Sequence, residues 1–177
     1  NHGEPTLHPL LPKFIEYARK SNVSEMIEVF TNGSKLGPKL NKELVDSGLQ
    51  RINISLEGLS SERYLKVAGA KINWEDFVKN IKDLYDYSRN KGDLSIYVKI
   101  VNHASELKGE TIFSMNDEEK DYFYKTFGNI ADEIYIEKIV PQWAETQEGK
   151  QNEVDLTGMY DQKTVRYKKV CPFIFMY

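Results

Sequence analysis

Seven polar residues fall where strand-like runs of this 177-residue chain end: Glu4, Thr31 and Asn32, Ser55 and Glu57, and Lys99 with Asn102. Two carboxylates, one amine and several hydroxyl and amide groups form a hydrogen-bonding array. It suits a polar small molecule carrying ammonium and hydroxyl groups. Ligands in parallel β/α folds bind at the carboxyl ends of the strands, so the placement of these residues counts as much as their type. Lys99 on a strand also admits Schiff-base chemistry of the aldolase kind, which needs a buried amine held uncharged. A non-catalytic βα domain that binds a small ligand is a further reading of the same array.

The histidines point less clearly to chemistry. His2 and His8 lie six apart in a loop, wider than metal-ligand pairs usually sit, and His8-Pro9 reads as a turn. His103, just after a strand, reads as a polar loop residue, and Trp143 either lines a substrate mouth or packs. Cys171, the single cysteine, reads either as a small buried hydrophobe or, with "PFIF" after it, as a metal ligand.

The elements that must hold these residues alternate between two hydrophobic periods. "PKFIEYARKS" begins with a proline suited to a first helical turn and carries Phe14, Ile15, Tyr17 and Ala18 along one side. "MIEVFTNG" reads as a strand, "GPKLNKELVDSG" as a short helix closed by Gly48, and "RINISLEG" as a second strand. After a loop, a helix from Asn73 to about Lys91 puts Trp74, Phe77, Val78, Ile81, Leu84, Tyr85 and Ser88 on one face. "LSIYVKIVN" is a strand, "NDEEKDYFYKTFG" a helix opened by Asn116 and Glu119 at capping-box spacing, and "DEIYIEKIVP" a last strand. The tail from Gln142 to Lys169 is polar and reads as loop with one short helix. Strand–helix alternation of this kind builds a parallel sheet with right-handed crossovers.

Side chains alternate across a strand, and that alternation chooses between architectures. Ile52, Ile54 and Leu56 oppose Asn53, Ser55 and Glu57, and Leu94, Ile96, Val98 and Ile100 oppose Ser95, Tyr97 and Lys99. Ile27 and Val29 oppose Glu28, Phe30 and Asn32, while Ile134 and Ile136 oppose Tyr135 and Glu137. A doubly wound sheet is covered on both faces and has continuously apolar strands. A closed eight-stranded barrel fills its interior with branched apolar residues. One layer of helices on the apolar face, with the polar face lining a wide lumen, fits better. The lumen would gather Glu28, Asn32, Asn53, Ser55, Glu57, Tyr97, Lys99 and Glu137. An open sheet with one wetted face is the alternative.

Composition sets outer limits. The size suits one domain with a sizeable core, and 40% hydrophobic with 29% charged residues is ordinary for a globular protein. A net charge of −3 gives no electrostatic case for nucleic acid or an acidic membrane surface. No apolar run approaches the ~20 residues of a membrane span, and no segment resembles a signal peptide. One cysteine cannot form a disulfide framework, which fits a reducing, cytoplasmic home.

In order along the chain, "GEPTLHP", "FTNG", "ISLEG", "VKIVN" and "IEKIVPQW" resemble the strand-end motifs of the radical SAM (S-adenosylmethionine) superfamily. "CPFIF" resembles the entrance to its SPASM or twitch extension. His2 stands where that family's first motif usually has a glycine. The resemblance implies an α/β fold, a partial (β/α)6 TIM-like barrel of parallel strands with outer helices, over 1–143. Residues 144–177 would be a linker and the start of the SPASM/twitch-like extension. It further implies S-adenosylmethionine and a [4Fe–4S] cluster held by a CxxxCxxC loop, hydrogen abstraction from a substrate, and an electron donor such as flavodoxin or ferredoxin. The substrate could be a peptide, a protein or a small metabolite. Gly3, Glu4 and Pro5 match the motif that meets the cofactor's methionyl ammonium, and Thr31 and Asn32 a cofactor-side strand end. Ser55 and Glu57 match the strand end near the ribose, Lys99 a strand position facing cofactor or substrate, and Val140 and Pro141 the adenine side. Cys171 matches a first ligand of an auxiliary Fe–S cluster. The CxxxCxxC loop and the first β/α unit are not in this sequence. The expectation is therefore a chain truncated at its N-terminus, inactive alone, with an apolar edge that invites self-association.

Overall fold

A computed structural model describes residues 3–102, 106–107, 110–111, 115–138, 159–160 and 163–164. The chain divides into two compact units, Asn1–Glu137 and Lys138–Tyr177. In the first, a 3-10 turn (Pro5–Leu7) precedes α1 (Leu11–Ser21), β1 (Glu28–Thr31), α2 (Pro38–Asp46), β2 (Arg51–Leu56), α3 (Ser61–Ala68) and α4 (Trp74–Lys91). Then follow β3 (Ser95–Asn102), the short pair β4 (Glu106–Leu107) and β5 (Glu110–Thr111), α5 (Asp117–Phe127) and β6 (Glu133–Lys138). In the second unit the described residues form two short antiparallel strands, β7 (Met159–Tyr160) and β8 (Lys163–Thr164).

The sheet runs β1-β2-β3-β6. Thr31 is in parallel register with Ile54, Ile54 with Val98, and Ser55 with Lys99. Strands joined through helices and lying side by side in chain order are the expected α/β architecture, four consecutive strands of a partial TIM-like barrel. The apolar face forms the core. Ile52, Ile54, Ile96, Val98 and Ile100 pack with Leu44 of α2, Phe77, Ile81 and Leu84 of α4, and Phe123 and Phe127 of α5. All of these are 4% exposed or less. Burying each such side chain contributes about 1.5–3 kcal/mol.

Local chemistry sets the helix starts. Asn73 accepts the Asp76 amide at 3.0 Å, and Asn116 and Glu119 close a full capping box. Ser60 accepts the Arg63 amide at 3.2 Å and opens α3, a segment expected to be loop. Its apolar residues are not on one face: Tyr64 is buried, while Leu65 and Val67 are 54% and 40% exposed. A second expectation changes at α1, where Ile15 alone is fully buried and Phe14 and Tyr17 are exposed. Neither is among the described residues packed against the core, which α1 meets through Ile15 and Leu11. The loop expected up to Ser114 contains the β4–β5 pair.

Candidate functional site

The polar sheet face is built in rows set by strand register. At the amino ends of the strands, Arg51 donates to both oxygens of Glu133 at 3.1 and 3.2 Å and lies over the Tyr97 ring, 5.3 Å from its centre. Asn53, 3% exposed, donates to Glu28 at 3.1 Å and accepts from Arg51 at 3.4 Å. Towards the carboxyl ends, Lys99 donates to both oxygens of Glu137 at 3.0 and 3.1 Å. Charges here are paired across strands, so this face is ordered by its own contacts.

Lys99 is therefore in an ion pair, not in the apolar pocket that leaves a Schiff-base lysine uncharged. The aldolase-like reading has no support in this geometry.

At the carboxyl end of β1, Glu4 is the hub. Its Oε1 accepts the Thr6 amide at 2.9 Å, the Thr31 hydroxyl at 2.6 Å and the Thr6 hydroxyl. Its Oε2 accepts the Asn32 amide at 2.7 Å. Burial opposes ionisation of this carboxyl, but the donors of Thr31, Thr6 and the Asn32 backbone outweigh it and hold the carboxyl below its ordinary range. Glu4 thus spends its acceptors on tying the 3-10 turn to β1. Thr31, 4% exposed, takes part through its hydroxyl, which also accepts the Gly33 amide at 3.0 Å. Gly3 precedes the hub at φ 109°, and Pro5 opens the 3-10 turn.

Asn32 leads into Gly33, whose φ is 75° and where an added Cβ would lie 3.0 Å from the Phe77 ring. Only glycine suits that combination. Asn32 Oδ1 accepts the Ser34 amide at 2.9 Å, which leaves its Nδ2 without a hydrogen bond among the described residues. One strand over, Ser55 and Glu57 are half-buried at the end of β2. Burial, then the negative charge of Glu4, pushes the Glu57 carboxyl above its ordinary range. No described side chain or amide donates to it. Asn102 differs: its Oδ1 accepts the Met115 amide at 2.9 Å and serves the fold.

The structure thus brings Glu4, Thr31, Asn32, Ser55 and Glu57 to one end of β1 and β2, with Lys99 beside Ser55 in register. His8 accepts the Leu10 amide at 3.2 Å, in keeping with a turn. Val140, Pro141 and Cys171 lie outside the described residues, as do His2, His103 and Trp143.

A sequence model of the Radical SAM superfamily matches residues 2–108 of the chain. The chain belongs to the radical SAM superfamily. Among its relatives, a GTP 3′,8-cyclase of Helicobacter pylori (strain J99) is 33% identical over 66% of this chain and 32% of its own. The GTP 3′,8-cyclase of Rippkaea orientalis is 31% identical over 54% of this chain and 30% of its own. A probable GTP 3′,8-cyclase of Methanococcus maripaludis (strain C7) is 25% identical over 78% and 52%. The chain spans about a third of the length of the first two relatives and about half that of the third.

The superfamily's two resident groups fare differently against these residues. S-adenosylmethionine offers an ammonium, a sulfonium and a ribose diol. The half-buried Glu57 carboxylate, to which no described group donates, can accept from the ammonium or the ribose hydroxyls, and Asn32 Nδ2, without a hydrogen bond among the described residues, can donate to a ribose oxygen. A [4Fe–4S] cluster is held by thiolates, and 177 residues with one cysteine do not form its site. Among the described residues no three His, Cys, Asp or Glu side chains converge as a ligand set, and no helix is long and apolar enough to cross a membrane.

Proposed function

We propose that this chain is the S-adenosylmethionine-holding part of a radical SAM enzyme. The observation that carries the reading is the half-buried Glu57 carboxylate, to which no described group donates, beside the Glu4–Thr31–Asn32 network at the strand ends, within the stretch that the superfamily model matches. Bound S-adenosylmethionine supplies the chemistry, its reductive cleavage followed by hydrogen abstraction from substrate. Glu57 and Ser55 accept and donate hydrogen bonds to the ribose hydroxyls. The Gly3–Pro5 segment, braced by Glu4, meets the methionyl end, and Thr31 and Asn32 flank it. Lys99 faces cofactor or substrate, and Val140 and Pro141 take the adenine side.

Residues 144–177 lead into a SPASM/twitch-like extension, in which Cys171 would be a first auxiliary-cluster ligand. Substrates are peptides, proteins or small metabolites, and GTP, the substrate in the relatives' names, is one of the last class. Flavodoxin or ferredoxin supplies electrons, in the cytoplasm.

Anaerobic iron–sulfur reconstitution and reduction of the protein carrying this domain, followed by chromatography for 5′-deoxyadenosine, tests the proposal. Product forms, and Glu57→Gln raises the KM for S-adenosylmethionine. No 5′-deoxyadenosine from a reconstituted, reduced sample contradicts it.

A further inference from the structure

Tyr64 comes to the site from outside the strands that form it. It sits on α3, is 0% exposed, and its ring lies against Phe77 at 5.0 Å and Trp74 at 6.2 Å between centroids. A tyrosine buried among aromatic rings needs a partner for its hydroxyl. This one donates to the backbone carbonyl of Asn32 at 3.2 Å.

The consequence lies in what else holds Asn32. Its amide N–H is bound by Glu4 at 2.7 Å, its side-chain oxygen by the Ser34 amide at 2.9 Å, and its carbonyl by Tyr64. Both backbone polar groups of one residue are fixed by side chains from two other segments, and its Nδ2 is left over. Tyr64 itself is on α3, the helix that follows β2 and Glu57 in the chain, so this bond ties the segment after β2 to the end of β1. Rotation of Asn32 or drift of the turn after β2 would change the separation of Asn32 Nδ2 and the Glu57 carboxylate. Burial keeps the phenol protonated, so it remains a donor across the working pH range.

We propose that Tyr64 is a positioning residue: its hydroxyl latches α3, and with it the turn after β2, to the end of β1, so that Asn32 and Glu57 are presented to S-adenosylmethionine in one arrangement. The role rests on the reading of these strand ends as the S-adenosylmethionine site. Tyr64→Phe keeps the ring and its packing and removes only the latch. Trp74→Phe disturbs the same aromatic cluster and leaves the hydroxyl in place.

Two readouts on the chain decide the role. In Tyr64→Phe, amide hydrogen exchange at Asn32, Gly33 and Glu57 speeds up about tenfold while α4 amides keep the parent's rates. S-adenosylhomocysteine, used as the calorimetric probe, binds about tenfold more weakly to Tyr64→Phe, the equivalent of one hydrogen bond. Trp74→Phe lowers thermal stability and keeps the parent's affinity. Parent-like affinity in Tyr64→Phe, or an equal loss in both variants, overturns the positioning role. Unchanged exchange at Asn32 and Glu57 overturns the latch itself. If the parent does not bind the probe, the site reading fails and the cofactor role with it, while the exchange data still report on the latch.

Discussion

Replacing Glu4 by glutamine removes one charge and keeps the shape of the hub. The carbonyl of the new amide side chain can still accept from Thr6 and Thr31, as Oε1 does in the parent. Its NH2 then faces the Asn32 amide, which in the parent donates to Oε2 at 2.7 Å. Two donors meet, and one charge-assisted bond is lost. Such a bond is worth about 1.5–3 kcal/mol when shielded, and the half-exposed position of Glu4 reduces this to about 1–2 kcal/mol. With a urea slope of about 2 kcal/mol per M, the midpoint falls by about 0.5–1 M.

The pH dependence separates this cause from a packing defect. The folded pKa of Glu4 is lowered, so its stabilisation is fully present above the unfolded value near 4.5 and is lost as pH falls through the folded value. The gap between parent and Glu4→Gln should therefore be widest at neutral pH and close in acid. Glu57 has the opposite sign. Its raised pKa gives stability that is complete below its unfolded value, near 4.5, and lost as pH rises through its folded value. Glu4→Gln removes part of that burden by removing a neighbouring charge, which makes the net loss smaller than the lost bond alone. Circular dichroism during urea titration from pH 3 to 8 measures both variants. A midpoint within about 0.1 M of the parent at pH 7, or a gap that persists unchanged at pH 3, would refute the hub argument.

Three other predictions address the frame around the site. Gly58→Ala puts a Cβ 2.1 Å from Cγ and 2.5 Å from Cβ of Arg63, so the start of α3 must shift; thermal melting should show a loss of about 1–3 kcal/mol. Lys99→Met strands Glu137 without its cation and should cost about 1–2 kcal/mol in urea unfolding after allowance for solvent screening, with Lys99→Met/Glu137→Gln recovering most of it. Asn116→Ala breaks the capping box of α5 and should cost about 1 kcal/mol by the same measurement, whereas an unchanged midpoint would mean the cap is idle.

Most of the sheet and its helices was legible because period and caps agreed. The alternation of Ile52, Ile54 and Leu56 with Asn53 and Ser55 marked the two faces of β2, and Asn73 and Asn116 marked the starts of α4 and α5. Helix α3 was hidden because a single buried residue, Tyr64, gives no period; Ser60 ahead of a polar run was the available signal. The strand-end residues were legible as a set, since motif order and the parallel fold both point there. The division of labour within the set was not. Side-chain pairing decides that Glu4 braces a turn, that Lys99 joins Glu137, and that Glu57 is left without a donor among the described residues, and pairing between segments 27 to 38 residues apart leaves no local pattern.

The proposed S-adenosylmethionine site lies at the carboxyl ends of β1 and β2. Titration of the 15N-labelled protein with S-adenosylhomocysteine, followed by NMR, tests it most directly. Saturable shifts should concentrate in residues 3–6, 31–34 and 55–58, including the Asn32 side-chain amide, and weaken in Glu57→Gln. Shifts clustered at the amino ends of the strands, or no saturable shift at these positions, would contradict it.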